Sequence, residues 1–350
     1  MNSPFEGYPA RILITRLRFI GDVVLTLPLI EALKNKYPDA ELYYLTEKSV
    51  GEILIGHPDL EEVIMLDRDA IENLPWRKKS IEHLGFINKL RNYKFDMVID
   101  LFCNPRSALL TLATGAKIRV GFDVRLRGIV YNHKIRRGAS IRVVDAYLDS
   151  LRTLGVDVER EVPHLPLLKD ERRWATDWLR ENSLSQNLPL IGFNPGASWP
   201  AKMWQPEQFA GLGDNVIDML NGQVLITQGP GQRELVRQVS DLMKHPPVIA
   251  DLLPIRRLSA LIEQCDAYVS NDSGPMHIAA AVGTRTIGIF GPSDPAIWFP
   301  YSESSGHLSV KPDVAFCCGK NFCAEPRSCI STISVDQVYR LVRQALEASP

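Results

Sequence analysis

The sequence has no long hydrophobic run and no marked excess of charge. No segment approaches the roughly 20 consecutive apolar residues that a membrane-spanning helix needs, which argues against an integral membrane protein. The amino terminus lacks a basic stretch followed by an apolar core, so we expect no signal peptide. The 40 Lys and Arg residues nearly balance 41 Asp and Glu residues, for a formal net charge of −1, and no global field indicates nucleic-acid binding. These absences favour a cytoplasmic enzyme or binding protein.

Cysteine is scarce, at six residues in 350. Cys103 and Cys265 lie in apolar surroundings and are predicted to be buried small side chains. The other cysteines crowd one segment near the carboxyl terminus: Cys317, Cys318, Cys323 and Cys329. Because this segment lacks paired Cys-x-x-Cys motifs, we predict no metal and no other cofactor, while a metal knuckle stays open as an alternative.

Two nucleotide-binding fingerprints are also missing. The G-x-G-x-x-G motif of dinucleotide-binding dehydrogenases does not follow the first predicted strand, and no G-x-x-x-x-G-K-[ST] phosphate loop occurs in the sequence. These absences weaken an NAD oxidoreductase and a P-loop phosphoryl transferase as interpretations.

What the sequence does contain is a regular alternation of short apolar runs and helical patterns, which is typical of parallel βαβ units. Pro28 lies inside the first helical pattern and is expected to kink or loosen that helix. Strands are predicted at Arg11–Thr15, Glu41–Leu45, Glu62–Leu66, Phe95–Leu101, Ile118–Gly121, Leu190–Phe193, Val224–Thr227, Val248–Ile249, Ala267–Val269 and Thr286–Phe290.

The length suits two domains, each able to bury its own core. A stretch with Pro163 and Pro166 and no clear period separates two alternating halves. We therefore predict an α/β protein with two doubly wound Rossmann-like domains facing a central cleft, where ligands of open α/β sheets bind. The predicted boundaries are residues 1–160 for the first domain, 161–170 for a linker, 171–332 for the second domain and 333–350 for a terminal helix.

Three predicted strand ends of the second half carry polar or glycine residues. They are Asn194–Ser198 with Lys202 shortly after, Gly229–Glu234, and Asp272–Gly274 with His277 in the helix that follows. Each has an ordinary structural explanation, such as a turn glycine, a solvated lysine or a helix N-cap. A parallel sheet, however, aims all three at one crevice, where helix-start amides and Lys202 would hold a diphosphate and Glu234 a ribose. The combination predicts a nucleotide diphosphate site.

The first half offers Asp22 after its first strand and a basic run between Lys117 and Arg142. Asp22 is either the N-cap of the next helix or a carboxylate that takes a proton from an attacking hydroxyl. The basic run is either a solvated face or a surface that receives an acidic or phosphorylated acceptor at a membrane. Candidate acceptor-binding residues are Arg16, Arg18, Arg119 and Arg125.

Several short motifs occur together in the order typical of one family. They are Arg11–Ile14, Gly21–Pro28, Asn194–Ser198 with Lys202–Trp204, Asn271–His277, and Phe290–Asp294. Jointly they resemble the family 9 glycosyltransferases, the ADP-heptose:lipopolysaccharide heptosyltransferases. The resemblance spans nearly the whole chain, from Arg11 to Leu346.

The resemblance implies a GT-B fold with an N-terminal acceptor domain and a C-terminal nucleotide-sugar domain. It implies inverting, metal-independent transfer of a heptose from ADP-heptose to the inner core of lipopolysaccharide, by a cytoplasmic enzyme in peripheral contact with the inner membrane. It places Asp22 as the general base and Lys202 on the donor phosphates. The other donor-binding positions that it implies are Ser198, Glu234, Asp272, Ser273, Gly274 and His277.

Two alternatives stay open beside this interpretation. The first is a GT-B enzyme that uses another nucleotide sugar, as a UDP-sugar transferase or an epimerase would. The second is a nucleotide-sugar binder without catalytic activity.

Overall fold

The computed structural model describes residues 9–136, 138–156, 158, 162–313 and 329–347. The chain divides into two compact units, the N-terminal unit Met1–Pro163 and the C-terminal unit His164–Pro350. Each unit is built on one parallel six-stranded sheet. The predicted doubly wound α/β architecture is confirmed in both halves.

The sheet of the N-terminal unit consists of β1 (Arg11–Thr15), β2 (Glu41–Glu47), β3 (Glu62–Leu66), β4 (Met97–Asp100), β5 (Ile118–Phe122) and β6 (His133–Ile135). In space the strands follow the order β3-β2-β1-β4-β5-β6. The order reverses at β1, whose last residue Thr15 lies opposite Leu45 on one side and Asp100 on the other. Open α/β sheets bind ligands outside the carboxyl ends of the strands at such a switch point.

The helices of the N-terminal unit are α1 (Ile20–Val24), α2 (Leu27–Lys36), α3 (Lys48–Gly51), α4 (Arg68–Glu72), α5 (Trp76–Asn92), α6 (Pro105–Thr114) and α7 (Val143–Arg152). Short 3-10 turns occupy Glu52–Leu54 and Arg125–Val130. The interruption expected at Pro28 is present, because the chain leaves α1 after Val24 and starts α2 at Leu27. Pro28 then lies in the first turn of α2, where its missing N–H costs no hydrogen bond.

The sheet of the C-terminal unit consists of β7 (Leu190–Asn194), β8 (Gln223–Ile226), β9 (Val248–Ile249), β10 (Ala267–Asn271), β11 (Arg285–Ile289) and β12 (Leu308–Val310). Its spatial order, β12-β11-β10-β7-β8-β9, is the same arrangement as in the first sheet. The switch point lies between β7 and β10. The helices are α8 (Lys169–Glu181), α9 (Pro206–Leu220), α10 (Arg233–Leu242), α11 (Ile255–Glu263), α12 (Gly274–Ala281), α13 (Pro295–Trp298) and α14 (Val335–Glu347).

Trp204 anchors the turn after β7 in the core of the C-terminal unit. Its ring is fully buried and packs edge-on against Phe209, with centroids 5.1 Å apart. Its indole Nε1 donates to the carbonyl oxygen of Ile333 at 2.9 Å. A buried indole can satisfy its N–H only in one orientation, so this hydrogen bond fixes the position of Trp204. Lys202 lies two residues before Trp204 and is held close to the core in this way.

Every strand predicted from the sequence is present, with ends that shift by one or two residues. The sequence reading missed the edge strands β6 and β12 and the short helices α4 and α13, because segments of three to five residues are too short to display a period. Cys103 and Cys265 are buried, as predicted. Across the described ranges, no helix combines the length and apolar character needed to cross a bilayer.

Candidate functional site

Side chains at the switch point of the C-terminal sheet tie two strand ends together. Asn271, the last residue of β10, accepts from the backbone N–H of Trp204 at 3.1 Å and donates to the carbonyl oxygen of Pro195 at 2.7 Å. The Ser273 hydroxyl lies 3.5 Å from Oδ1 of Asn194, at the end of β7. These hydrogen bonds fix the turns after β7 and β10 against each other.

The turn after β8 joins the same group through Gln232. The side-chain oxygen of Gln232 accepts from the backbone N–H of Gly229 at 2.8 Å. A Cβ at Gly196 would collide with the Gln232 side chain, so the amide lies directly against the Gly196 backbone. The turns after β7, β8 and β10 therefore meet, and a side chain at position 196 would have to displace the Gln232 amide.

Lys202 and Asp272 form an ion pair within this group of turns. The Lys202 ammonium lies 2.6 Å from Oδ2 of Asp272. The Lys202 side chain is 21% exposed and that of Asp272 only 7%. Lys202 is therefore a positioned cation and not a freely solvated one, and a neighbouring anion can reach it from its open side.

Helix α12 begins beside this ion pair. Ser273 occupies the N-cap position but makes no capping hydrogen bond, and its hydroxyl instead lies 3.2 Å from that of Ser270. Asp272 is engaged by Lys202. Neither side chain therefore acts as the predicted cap, and the positive end of the helix dipole at Gly274 lies next to a cation, an arrangement that suits a phosphate.

His277 is buried one turn into α12. Its Nδ1 lies 3.1 Å from the hydroxyl of Tyr301, which is itself buried. The Tyr301 ring also packs against His307, with centroids 5.5 Å apart. Burial lowers the pKa of His307 to about 4, so that imidazole is neutral near pH 7. The contact with Tyr301 holds the His277 ring in a fixed orientation.

Two predicted donor residues lie on the surface. Glu234, in the first turn of α10, is 63% exposed and pairs with Arg237 at 2.7 Å. The hydrogen bond from Arg237 lowers the pKa of Glu234. Ser198 is exposed in the turn before Lys202. The hydrogen-bond network of the strand ends includes Lys202, Asp272 and Ser273 but not these two side chains.

In the N-terminal unit, Asp22 is a buried carboxylate with both oxygens engaged. The Tyr147 hydroxyl, from α7, donates to Oδ1 at 2.7 Å, and Nη2 of Arg16 lies 2.7 Å from Oδ2. The N-cap of α1 is Phe19, whose φ of 69° places it in the left-handed region. Asp22 is therefore not the helix cap, and its partners hold the carboxylate in one orientation.

Arg16 connects Asp22 to the sheet switch point. Its side chain is 11% exposed, and its guanidinium stacks over the Phe102 ring at 4.7 Å and donates to the carbonyl oxygen of Leu101 at 3.3 Å. Burial lowers the pKa of Arg16, but Tyr147 and Asp22 outweigh this effect and the net pKa is raised. Burial also raises the pKa of Tyr147, with Asp22 adding to the shift, so the phenol stays a proton donor.

Arg18 belongs to a second charged group at the ends of β2 and β3. Its Nε lies 3.3 Å from Oε2 of Glu47, which is 7% exposed. Oε1 of the same carboxylate lies 3.9 Å from Arg106 and 4.0 Å from Arg68. Arg106 lies closer to Glu72, with Nη2 2.7 Å from Oε1, so three guanidinium groups share two carboxylates at this edge.

The remaining predicted acceptor residues lie around β5. The guanidinium of Arg119 donates to the carbonyl oxygens of Val130 and Ala116, each at 2.7 Å, and so holds the connection between β5 and β6. Arg125 begins the 3-10 turn after β5, and its side chain lies outside the described part of the structure.

Comparison with known proteins decides the family. A match to glycosyltransferase family 9 (heptosyltransferase) covers residues 84–326. The chain belongs to glycosyltransferase family 9. It is therefore a glycosyltransferase.

Several curated relatives of this family 9 protein carry heptosyltransferase names. Lipopolysaccharide core heptosyltransferase OpsX of Haemophilus influenzae is 27% identical over 315 residues, covering 87% of this chain and 86% of the relative. Lipopolysaccharide heptosyltransferase 3 of Escherichia coli is 29% identical over 304 residues, which cover 82% of this chain and 85% of the relative.

Solved structures of family 9 proteins share the fold. The glycosyl transferase family 9 structure from Veillonella parvula has a TM-score of 0.86 and 26% identity, covering 99% of this chain and all of that one. The ADP-heptose lps heptosyltransferase II structure from E. coli has a TM-score of 0.77 and 23% identity, covering 96% and 98%. The present protein therefore has the GT-B fold that its sequence led us to expect.

Of the clustered cysteines in this family 9 protein, Cys329 is buried at the start of the Cys329–Thr332 turn. Cys317, Cys318 and Cys323 lie outside the described residues. Within the described ranges, no group of His, Cys, Asp and Glu side chains has an arrangement that could hold a metal ion.

Several residues that shape these groups were not identified from the sequence of this glycosyltransferase. Tyr147 lies 125 positions from Asp22, and no short motif connects the two. Glu47, Arg68 and Arg106 come from three separate elements, so only the folded chain brings them together. Tyr301, the partner of His277, lies in no motif that could have identified it from the sequence. Asn194 and Asn271 lie in motifs that the sequence singled out, but the hydrogen bonds by which they join the strand ends were not predicted.

Proposed function

We propose that this glycosyltransferase transfers a heptose from ADP-heptose to the inner core of lipopolysaccharide, with inversion and without a metal ion. Family membership and the names of the curated relatives support the substrate class. The observation that carries the proposal is the Lys202–Asp272 pair beside the start of α12, because it offers a positioned cation and a helix dipole to a diphosphate.

In this proposal the C-terminal unit binds the donor. Lys202 and the start of α12 stabilise the diphosphate, whose negative charge grows as its bond to the sugar breaks. Asp272 holds Lys202 in place before the donor arrives. The further donor contacts in the proposal are Ser198, Glu234, Ser273, Gly274 and His277.

The N-terminal unit binds the acceptor, and Asp22 is the general base. The acceptor hydroxyl oxygen bonds to the anomeric carbon, the bond from that carbon to the diphosphate breaks, and the hydroxyl proton passes to Asp22. The contacts from Tyr147 and Arg16 support this role, because they fix the direction in which the carboxylate can accept a proton.

The acceptor in this proposal is anionic. The guanidinium groups of Arg18, Arg68 and Arg106, which share the carboxylates of Glu47 and Glu72, supply N–H donors that suit the carboxylates and phosphates of an inner core. Arg16, Arg119 and Arg125 stay candidate acceptor residues. A peripheral position at the cytoplasmic face of the inner membrane is part of the same proposal.

The donor half of the proposal is tested by nucleotide binding, which needs no acceptor. In thermal-shift and calorimetric titrations with ADP, UDP and GDP, we expect ADP to stabilise the protein most. Lys202→Ala should weaken ADP binding by about tenfold, the effect of losing one charge-assisted contact. Lys311→Ala is the matched control, because the Lys311 side chain is 61% exposed and its ammonium lies 4.0 Å from Asp294, too far for a hydrogen bond.

Stabilisation by UDP and not by ADP would overturn the ADP-heptose assignment in favour of a UDP-sugar enzyme. Equal loss of ADP affinity in both lysine variants would show that the site is not the one proposed.

A further inference from the structure

Helix α5 carries an exposed apolar face. It is 17 residues long, yet Leu90 is its only fully buried residue in the described structure. Phe86 and Ile87 pack with Leu90 against the core of the N-terminal unit. Trp76, Ile81 and Leu84 are instead 73%, 66% and 61% exposed. The helix thus uses one narrow side for packing and leaves large apolar side chains in solvent.

The exposed residues share one broad side of the helix. At 100° per residue, Trp76, Leu84 and Ile81 fall within about 140° of arc, and the core-packing Ile87 lies in the same arc close to Trp76 at its edge. Arg77 and Arg91 fall within the same arc, and the Arg77 guanidinium lies 5.3 Å from the centre of the Trp76 ring. Aromatic, aliphatic and cationic side chains therefore alternate across a single surface.

The charge of α5 is strongly one-sided. Glu82 is its only acidic residue. Its Lys and Arg residues are Arg77, Lys78, Lys79, Lys89 and Arg91. Lys79 and Lys89 pair with Glu72 and Glu62, whereas Arg77, Lys78 and Arg91 are exposed. A surface with this charge is complementary to an anionic partner.

The neighbouring helix also exposes leucines. α6 packs beside α5, with Leu110 in the same core cluster as Phe86. Its residues Leu109 and Leu112, one turn apart, are 59% and 53% exposed. Scattered exposed leucines are common on folded proteins, so these two by themselves mark no interaction surface.

We propose that the exposed side of α5, formed by Trp76, Arg77, Ile81 and Leu84 with Lys78 about 60° beyond Ile81, docks the enzyme on an anionic lipid bilayer. Where cations are interspersed with Trp, Ile and Leu, as on this side of α5, the apolar ends reach toward the acyl chains while the long cationic side chains keep their charges at the headgroups. Trp76 suits the headgroup level, where indole rings concentrate.

This inference extends the proposed function, since a lipid-anchored acceptor is presented at a membrane surface. It does not depend on the identity of the donor. A second copy of the chain is a weaker candidate for the same face, because two such faces would bring their unpaired cations together.

The test is cosedimentation of the full chain with vesicles of phosphatidylcholine and phosphatidylglycerol, beside vesicles of phosphatidylcholine alone. We expect binding to the anionic vesicles, weakening with salt, and a blue shift of tryptophan emission. Trp76→Ser combined with Leu84→Ser should lower the partition coefficient by at least about tenfold. Arg77→Glu combined with Lys78→Glu should do the same through lost headgroup attraction, again by at least about tenfold.

The controls are Leu242→Ser and Lys244→Glu, exposed positions of the C-terminal unit, which should bind vesicles as the unaltered protein does. Transfer to a soluble, deacylated acceptor should be unchanged in all variants, so that a failure of the proposed transfer reaction is seen separately. Absence of vesicle binding, or equal loss in the control variants, would overturn the inference. So would concentration-dependent dimerisation that the α5 variants abolish while vesicle binding is absent, a result that would assign the face to a second copy.

Discussion

At the scale of single residues, the arrangement around Asp22 makes Tyr147 a positioning residue. Its hydroxyl holds one oxygen of the Asp22 carboxylate while Arg16 holds the other. We expect Tyr147→Phe to lower kcat by roughly tenfold or more, because a base held loosely is seldom aligned with the acceptor proton. KM for the donor should stay the same, since Tyr147 lies in the other unit. Steady-state kinetics with the donor varied measures both.

Tyr44→Phe is the matched control for this prediction. Tyr44 is also a fully buried tyrosine, but its hydroxyl bonds to Thr26 at 2.7 Å and not to Asp22. Both variants should lose about 1 kcal/mol of stability, the usual net value of one hydrogen bond. A similar fall in kcat in both variants would mean that Tyr147 acts only through stability.

His307 should make the stability of the C-terminal unit depend on pH. Its pKa is about 4 in the folded chain, below the ordinary value of 6.5, because the ring is buried. As the pH falls through this range, the unfolded chain binds the proton first, so stability is full above pH 6.5 and declines toward pH 4. The loss amounts to roughly 3 kcal/mol.

Urea unfolding at a series of pH values measures this effect. His307→Gln should flatten the decline more than the surface control His245→Gln does, since the His245 side chain is 44% exposed. A decline of the same size in the His307 variant would contradict the assignment.

At the scale of elements, the buried parallel strands could be predicted from the sequence, but the side-chain contacts between distant elements could not. β7 and β10 are buried at every position, so they appear in the sequence as apolar runs that end at polar turns. That pattern was enough to bring Lys202 and Asp272 into one group of turns. The Tyr147 contact and the group around Glu47 join distant elements, and no local period encodes them. The sequence also favoured Glu234 as a ribose contact, whereas the structure places it on the surface beside Arg237.

Gly291 links two elements of the proposed donor site. It follows β11, and a Cβ at this position would collide with the backbone carbonyl oxygen of Ala201, in the turn that carries Lys202. We therefore expect Gly291→Ala to displace that turn and to weaken ADP binding by about tenfold or more, since a backbone atom cannot rotate away. Calorimetric titration with ADP measures the effect.

Gly211→Ala provides the control for Gly291→Ala. Gly211 lies within α9, and its added methyl would meet Val335 at 3.4 Å, an ordinary contact distance. That variant should bind ADP normally and be slightly more stable, because alanine favours helix more than glycine does. Undiminished ADP affinity in Gly291→Ala would show that the turn is not held as described.

At the scale of the whole molecule, two sheets of identical strand order carry different chemistry at their switch points. The N-terminal sheet ends in the Asp22 group and the C-terminal sheet in the Lys202 group. The repeated alternation of strands and helices predicted two parallel doubly wound sheets but not the order of their strands. The division of roles followed from the family resemblance, because equal folds do not fix function.

Metal removal tests the proposed source of charge stabilisation for the whole enzyme. If Lys202 and the start of α12 stabilise the leaving diphosphate, transfer should continue at the same rate after treatment with EDTA. Elemental analysis should find no stoichiometric metal. Zinc at one atom per chain, together with loss of activity on its removal, would contradict this and direct attention to the clustered cysteines.

Heptose transfer itself is the most direct test of the proposed function. Purified enzyme is mixed with ADP-heptose and a panel of truncated inner-core acceptors, and the masses of the products are measured by mass spectrometry. We predict a product heavier by one heptose with at least one acceptor, and a loss of rate of about a hundredfold or more in Asp22→Asn, which keeps the shape of the side chain but removes the base. A product formed from UDP-sugars but not from ADP-heptose, or an Asp22→Asn variant with undiminished turnover, would contradict the account.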